Sequence, residues 1–393
     1  MNELIQRKVG SVFKRLIQDY PVITLTGPRQ SGKTTLCRMT YPEMAYANLE
    51  DPEIREYAFT DPKGFLAQFP DSVILDEIQR VPELISYIQV IVDTPGFSGN
   101  YILTGSQNFS VSNTVNQSLA GRTALLTLLP LSSSEILNRY PESKPDVLIY
   151  QGGYPVIYRK CLNPTQVLGD YIATYVERDI RQLSMIRNLT VFQRFLGLCA
   201  GRTGQLLNSS SLSNDTGVSQ TTVREWLSIL EASYICFRLP PFYGNISKRL
   251  VKSPKLYFYD TGLAAYLMGI NSISQLSVHP LRGMLFENLI VTEILKFILN
   301  RRMRPDLFFY RDSNGNEVDL VIPDGTGFVP VEIKSGATIS KDFFKGLAKF
   351  SKAVKSPVNK LLVYGGNDER VQNGVQITGL HTLDRTLENS LQI

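Results

Sequence analysis

Residues 27–34 constrain the fold of this chain more than any other segment, because they place two glycines ahead of a Lys-Thr pair, between an apolar run and a helical one. Glycines let a backbone curl so that successive N–H groups face an anion, and the helix that follows adds the positive end of its dipole. The pattern G-x-x-x-x-G-K-[ST] after a strand predicts a triphosphate site in an α/β domain. A glycine-rich turn without a ligand is the alternative, which the agreement of strand, loop and helix disfavours. We expect the phosphates to contact Gly27, Pro28, Arg29, Gln30, Ser31, Gly32, Lys33, Thr34 and Thr35.

A second apolar run, Ser72–Glu77, ends in two acids. We expect Lys33 to reach the β- and γ-phosphates, while the Thr34 hydroxyl and Asp76 hold a Mg²⁺ ion. Glu77 would orient or polarise the attacking water. Carboxylates at the end of a buried strand are costly without a cation, which favours this interpretation over a merely solvated strand end.

The polar end of a third run, Tyr101–Ser106, is expected to lie between the other two strand ends. Ser106 and Gln107 are therefore candidate sensors of the γ-phosphate, although Ser and Gln commonly follow strands. Arg122 is a candidate donor of positive charge to the γ-phosphate site of a neighbouring subunit, which would require a homo-oligomer. An ordinary surface arginine is the equal alternative.

The chain is 393 residues long, which predicts two or three domains. Five β-rich runs, separated by segments that can hold helices, predict an α/β fold with a parallel sheet. From Pro164 the pattern favours helix on helix, and near Leu281 a third region begins with a long helix and a strand hairpin. We predict a P-loop ATPase domain, a helical middle and a C-terminal α/β domain at 1–163, 164–280 and 281–393. The runs are 22–27, 44–50, 72–77, 101–106 and 124–129, and the C-terminal elements are 283–300, 318–322 and 328–333.

The composition excludes several classes of protein. Four widely separated cysteines and two histidines argue against a zinc enzyme, a Ser-His-Asp hydrolase and a disulfide framework. The net charge of +5 permits contact with nucleic acid without demanding it. No apolar stretch is long enough to span a bilayer, and the first residues do not resemble a signal peptide, so we expect a cytoplasmic protein with no membrane contact.

The middle region contains a helix-turn-helix pattern over 212–230, with Gly217 in the turn and Ser219 as cap of the second helix. One face of that helix is apolar, and the other begins with Gln220, Thr221, Thr222 and Arg224. A basic cluster downstream would contact DNA phosphates as a wing. A packing module with solvated lysines is the alternative. The basic cluster consists of Lys248, Arg249, Lys252 and Lys255.

Four charged residues near the end of the chain form a candidate metal site. Glu332 and Lys334 are two apart on a predicted strand, so their side chains point to the same face. Asp319 and Glu332 would converge on one Mg²⁺ ion, and Lys334 would orient or deprotonate a water or stabilise developing phosphate charge. Glu287, on the preceding helix, would complete the shell. A polar strand face whose Glu and Lys pair for solubility is the alternative.

The segments GPRQSGKTT, VILDEIQ, YILTGSQN and SLAGR together resemble the AAA+-type ATPases of bacteria and archaea that carry a C-terminal domain of unknown function, number 4143. Residues 152–155, 175–179, 254–262 and 309–334 extend the likeness over nearly the whole chain. The resemblance implies ATP as the nucleotide, an ASCE-type sheet, a winged-helix middle and a nuclease-like end. The order E…D…E-x-K is similar to that of the PD-(D/E)xK nuclease superfamily, with or without retained cleavage.

Three functional hypotheses follow. The first is an ATPase that couples nucleotide state to a DNA-associated C-terminal module. The second is a DNA endonuclease gated by ATP. The third is a nucleotide-dependent switch that binds a protein partner and cleaves nothing; DNA affinity that weakens steeply with salt would distinguish a DNA reader from it.

Overall fold

The computed structural model describes residues 4–106, 119–176, 188–242, 253–312, 315–325, 327–354, 356 and 358–393. Its N-terminal strands are β1 (Val22–Thr26), β2 (Ala45–Asn48), β3 (Ser72–Asp76), β4 (Asn100–Gly105) and β5 (Thr123–Thr127). They form one sheet in the order β2-β3-β4-β1-β5, and all neighbours are parallel. The predicted strands and the parallel sheet are confirmed, and β4 lies between β1 and β3 as expected.

Both faces of this sheet are covered, as its almost continuously apolar strands require. Neighbouring residues of a strand point to opposite faces, so Val22 packs in one core and Ile23 in the other. The first two helices cover the face of Ile23, and the next three cover the face of Val22. The helices are α1 (Gly10–Asp19), α2 (Lys33–Thr40), α3 (Pro52–Thr60), α4 (Pro62–Ala67) and α5 (Leu84–Val92).

After β5 the chain is mainly helical. The first helices of this stretch are α6 (Ser133–Arg139), α7 (Pro145–Gln151), α8 (Pro155–Lys160) and α9 (Pro164–Tyr171), followed by a π-helical turn at Ile172–Val176. The later elements are α10 (Leu189–Ala200), α11 (Ser209–Thr216), α12 (Gln220–Ala232), β6 (Cys236–Leu239), β7 (Lys255–Phe258), α13 (Thr261–Leu267) and α14 (Ile273–Ser277). Strands β6 and β7 pair antiparallel.

The predicted helix-turn-helix form is confirmed in α11 and α12. Gly217 ends α11 with a φ of 74°, and the Ser219 hydroxyl caps α12 by accepting from the Thr222 N–H at 3.1 Å. Trp226 packs edge-on against two phenylalanines of α10, at ring distances of 5.2 Å. The start of α12 exposes Gln220, Thr221 and Arg224 and partly exposes Thr222.

One of the four basic residues predicted to form a wing after this helix pair is buried. Residues 248, 249 and 252 lie outside the described residues. Lys255 is the first residue of β7 and is only 4% exposed, so it does not contact DNA phosphates. Its ammonium is instead surrounded by carboxylates. The basic neighbours of Lys255 in the sequence give no sign of these contacts.

The C-terminal region begins with the predicted long helix, α15 (Arg282–Asn300). It continues with β8 (Phe308–Arg311), β9 (Glu317–Asp324), β10 (Gly327–Lys334), α16 (Lys345–Ala353), β11 (Lys360–Tyr364), β12 (Arg370–Gln372), β13 (Val375–Thr378) and α17 (Leu383–Ser390). The strands form a sheet in the order β12-β13-β11-β10-β9-β8. The predicted hairpin is β9–β10, in which Leu320 lies opposite Val331.

The largest apolar core contains residues from both the middle and the C-terminal regions, from Leu129 to Leu391. The side chains that join the two regions include Phe258 of β7 and Phe286 of α15, which are both fully buried. None of the helices in the described ranges combines the length and the hydropathy that a membrane span requires.

Candidate functional site

The loop between β1 and α2 curls tightly over the end of the parallel sheet. Gly27 has a φ of 144°, and a Cβ at this position would lie 2.2 Å from the carbonyl oxygen of Leu128. Gly32 has a φ of 95°, and Gln30 also lies in the left-handed region at 59°. The helix starts directly at Lys33 and has no side-chain cap, so its first N–H groups lack intrahelical acceptors. This backbone shape can hold an anion.

Lys33 lies across this loop. Its ammonium donates to the carbonyl oxygens of Gly27 and Pro28, at 2.9 Å in both cases. The residue is 5% exposed. Burial lowers the pKa of Lys33 to about 8, although the nearby Glu77 and Asp76 carboxylates oppose the shift. A phosphate dianion would offset this desolvation better than neutral carbonyl groups do.

The two predicted magnesium ligands of the nucleotide site are in direct contact. The Thr34 hydroxyl donates to Oδ2 of Asp76 at 2.7 Å, and the Tyr46 hydroxyl donates to the same oxygen at 2.8 Å. Thr104 donates to the other oxygen of Asp76. Hydroxyl and carboxylate oxygens fit Mg²⁺, which takes few protein ligands beside water and phosphate. Tyr46 and Thr104 were not predicted for this site, because they lie on other strands.

Glu77 follows Asp76 in a left-handed conformation, with a φ of 58°. Its Oε2 accepts from the Ser106 hydroxyl at 3.0 Å and from the side chain of Gln79. Ser106, a candidate sensor, therefore lies beside the candidate water-orienting acid. Gln107, the other candidate sensor, lies outside the described residues. Gln79 was missed in the sequence, where a glutamine two residues after an acid carries no signal.

Arg122 lies at the opposite end of the sheet from this site. It precedes β5, whose five residues span about 16 Å from one end of the strand to the other. Its guanidinium makes two contacts with Asp93, at 2.5 and 2.8 Å. Arg122 is thus out of reach of the nucleotide loop in its own subunit, and action on a neighbouring subunit stays a prediction.

An open cleft of about 770 Å³ lies over the nucleotide loop. Its far wall includes Tyr140, Pro155 and Arg159 from the helical region. Arg7 borders it and donates to the carbonyl oxygens of Ser31 and Leu129, at 2.8 and 2.6 Å. Arg7 and the far wall were not predicted, because these contacts are made by residues remote in sequence from the loop.

The predicted C-terminal residues also converge. The ammonium of Lys334 lies 2.6 Å from Oε1 of Glu332 and 3.5 Å from Oδ2 of Asp319. Because Leu320 pairs with Val331, Asp319 and Glu332 are neighbours across the hairpin. Burial, reinforced by Asp319, raises the pKa of Glu332 to about 7.

Glu332 is 8% exposed, and its Oε2 has no hydrogen-bond partner among the described residues. A buried carboxylate oxygen without a donor is costly, so this atom is suited to a cation. Yet no group of three or more His, Cys, Asp or Glu side chains is arranged to hold a metal in the part of the chain that the structure describes. A divalent ion at Asp319 and Glu332 would therefore take its other ligands from water or substrate.

Glu287 is engaged by donors from the middle region. Its Oε1 accepts from the ammonium of Lys255 at 3.0 Å and from the hydroxyl of Tyr257 at 2.6 Å. Lys255 also lies 2.5 Å from Oε1 of Glu317. Burial is the main cause that raises the pKa of Glu287, with a further contribution from Asp319. Neither Lys255 nor Tyr257 was predicted at this site.

Residues 254–262 connect the two sites. Two residues of β7 contact Glu287, as described above, while Asp260 at the other end accepts from the Gly153 N–H at 2.7 Å and caps α13. Gly262 packs so closely on Gly152 that a Cβ there would lie 2.7 Å from its nitrogen. Pro155, two residues after Gly153, lines the cleft. These contacts give a structural role to two segments that the family resemblance had singled out without explanation.

Comparison with known protein families identifies three regions. An AAA domain matches residues 19–137, a domain of unknown function (DUF8612) matches 144–274, and another (DUF4143) matches 282–383. The predicted AAA-type domain and the predicted C-terminal domain of unknown function are therefore confirmed. The nuclease-like character of the latter stays a prediction.

Three known proteins illustrate the likeness. The uncharacterized proteins Mb2031c of Mycobacterium bovis and Rv2008c of Mycobacterium tuberculosis are each 30% identical to this chain over 343 residues, which cover 86% of this chain and 76% of theirs. The Walker-type ATPase PABY2304 of Pyrococcus abyssi is similar in structure with a TM-score of 0.47 and 14% identity, over 67% of this chain and 96% of that one. This chain belongs to the same family as the two mycobacterial proteins, and it carries an AAA-type ATPase domain and a C-terminal DUF4143 domain.

Proposed function

We propose that the protein binds ATP with Mg²⁺ on residues 27–35, hydrolyses it, and couples its nucleotide state to a DNA-associated, nuclease-like C-terminal domain. The convergence of Lys33, Thr34, Asp76 and Glu77 at one sheet edge carries this proposal. We place the domain boundaries at 163 and 280.

Each of these residues has a defined role in hydrolysis. Lys33 would leave the loop carbonyls and bind the β- and γ-phosphates, while Thr34 and Asp76 hold the Mg²⁺ ion. That ion neutralises charge on the phosphates when it is bound. Glu77, fixed by Ser106, would align the attacking water.

Hydrolysis by matched variants tests the ATPase proposal. Lys33→Ala should lose ATP binding, and Glu77→Gln should retain binding but lose hydrolysis by about a hundredfold or more. Lys63→Ala, at an exposed position on α4, is the control and should hydrolyse like the wild type. Hydrolysis at the wild-type rate by purified Lys33→Ala protein would refute the assignment.

The C-terminal part of the proposal is supported by the contact of Lys334 with Asp319 and Glu332, and by the unpartnered Glu332 oxygen. Glu332→Ala or Lys334→Ala should abolish Mg²⁺-dependent DNA cleavage while ATP hydrolysis continues. DNA of several forms would be incubated with and without ATP and resolved on gels. If wild-type protein cuts none of them, the nuclease proposal fails.

A second candidate function is a nucleotide-dependent switch that binds a protein partner. The burial of Lys255 favours it, because one of the four predicted wing cations is unavailable to DNA. DNA binding by the wild-type chain, measured at several salt concentrations, distinguishes the two functions. A steep loss of affinity with salt supports the DNA-associated function, and absent or salt-insensitive binding supports the switch.

A further inference from the structure

Lys255 is a buried cation that the middle region contributes to the C-terminal carboxylates. Its ammonium lies 3.0 Å from Glu287 and 2.5 Å from Glu317. The side chain is 5% exposed and lies over the ring of Phe309, at 5.6 Å from its centre. A buried ammonium of this kind is stable only when carboxylates pair with it.

The surrounding cluster mixes acids and lysines at close range. Glu287, Glu317, Asp319 and Glu332 supply four carboxylates, and Lys255 and Lys334 supply two ammonium groups among them. Arg311 lies farther out, 4.0 Å from Glu317 and about half exposed. Because the interior screens charge weakly, the buried Lys255 lowers the attraction of the whole cluster for another cation.

We propose that Lys255 is the internal counter-cation of this cluster and that it opposes the binding of a divalent cation at Asp319 and Glu332. The inference rests on the metal site in the proposed function. Lys255 acts in two ways: it repels the entering ion, and together with Tyr257 it holds Oε1 of Glu287 away from the ion's coordination shell. Glu287 is therefore a positioning residue in this arrangement and not a ligand.

A purely structural ion pair would behave differently. Its loss would lower the stability of the protein and leave the metal affinity of the folded protein unchanged. A counter-cation predicts a metal affinity that follows the charge of the cluster, so that removing a lysine strengthens binding and removing a carboxylate weakens it.

The test is titration of the full chain with Mn²⁺ in the absence of nucleotide, with free Mn²⁺ read by electron paramagnetic resonance. All proteins carry Asp76→Asn, which removes the carboxylate proposed to hold metal at the nucleotide site. Lys255→Met should lower the Mn²⁺ Kd about tenfold or more, and Glu287→Gln should raise it about threefold or more. The double variant Lys255→Met/Glu287→Gln restores the charge balance and should return the Kd to within about threefold of the parent.

Two controls define the outcomes. Lys352→Met removes an exposed lysine of α16 and should leave the Kd unchanged. Glu332→Gln should abolish binding, and its failure to do so would overturn the metal site itself.

Loss of binding in Glu332→Gln with an unaltered Kd in folded Lys255→Met would overturn the inference alone. If Lys255→Met does not fold, Glu287→Gln decides: an unchanged Kd overturns the inference, and a raised Kd supports it. No Mn²⁺ binding to any of the proteins would overturn both.

Discussion

Lys33 makes the stability of the nucleotide-free protein depend on pH in a way that can be calculated. Burial lowers its pKa from 10.5 to about 8 in the folded chain. Between these two values the unfolded chain binds more protons than the folded chain, so the free energy of unfolding rises with pH across this window. One pKa unit corresponds to about 1.4 kcal/mol, which sets the full effect at roughly 3 kcal/mol.

Lys33→Met removes this dependence while retaining most of the length of the side chain. Integrating the difference in bound protons from pH 7 to pH 9 gives a gain of about 1.3 kcal/mol in wild type relative to the variant. Urea unfolding of both proteins at a series of pH values in this range measures the difference. All other titrating groups are common to both, so their contributions cancel.

Added nucleotide provides the internal control. A triphosphate bound to the loop would pair with the Lys33 ammonium and raise its pKa towards the ordinary value, so the wild-type profile should become flatter when ATP and Mg²⁺ are present. Without nucleotide, the free energy of unfolding is measured against pH for wild type and Lys33→Met. If the two profiles run parallel between pH 7 and pH 9, the reasoning that burial lowers the pKa of Lys33 is refuted.

Three further predictions concern packing and hydrogen bonding. Gly27→Ala should lower the free energy of unfolding by about 2 kcal/mol or more and abolish ATP binding measured by calorimetry, because its Cβ would lie 2.2 Å from the carbonyl oxygen of Leu128. The control Gly10→Ala, whose Cβ would have no atom within 4 Å, should change neither the stability nor the binding. Trp226→Ala should cost about 3–5 kcal/mol in thermal or urea unfolding, since the ring packs between two phenylalanines; a cost below about 1 kcal/mol would contradict that packing. Tyr46→Phe removes a hydrogen bond to the strand-end carboxylate and should cost about 1 kcal/mol, and unchanged stability would count against that bond.

The nucleotide loop could be predicted because its determinants are local in the sequence. Gly27, Gly32 and Lys33 lie within seven residues, and the strand and helix that hold them have clear apolar patterns. The contact of Thr34 with Asp76 could also be predicted, since parallel strands present their carboxyl ends at one edge of a sheet. The C-terminal hairpin was predictable for a similar reason, because its two strands adjoin in the sequence.

The contacts between regions could not be predicted in this way. Lys255 lies 32 residues before its partner Glu287, in a basic stretch that favours an exposed cation. Arg7 lies 24 residues from Ser31 and 128 from Glu135, and it contacts both. Such pairs are set by the packing of one region on another, which neither residue type nor periodicity encodes.

Strand β7 has a consequence for any attempt to exchange parts among relatives of this protein. Lys255 and Tyr257 touch the C-terminal acids, and Asp260 holds Gly153, two residues before a proline that lines the nucleotide cleft. A chain junction placed at either end of the strand would therefore separate matched residues. If a relative's C-terminal domain is grafted without its own counterpart of residues 254–262, the acid at position 287 of that domain would face a strand from a different protein. Chimeras should retain function only when this short segment travels with the acids that it was matched to.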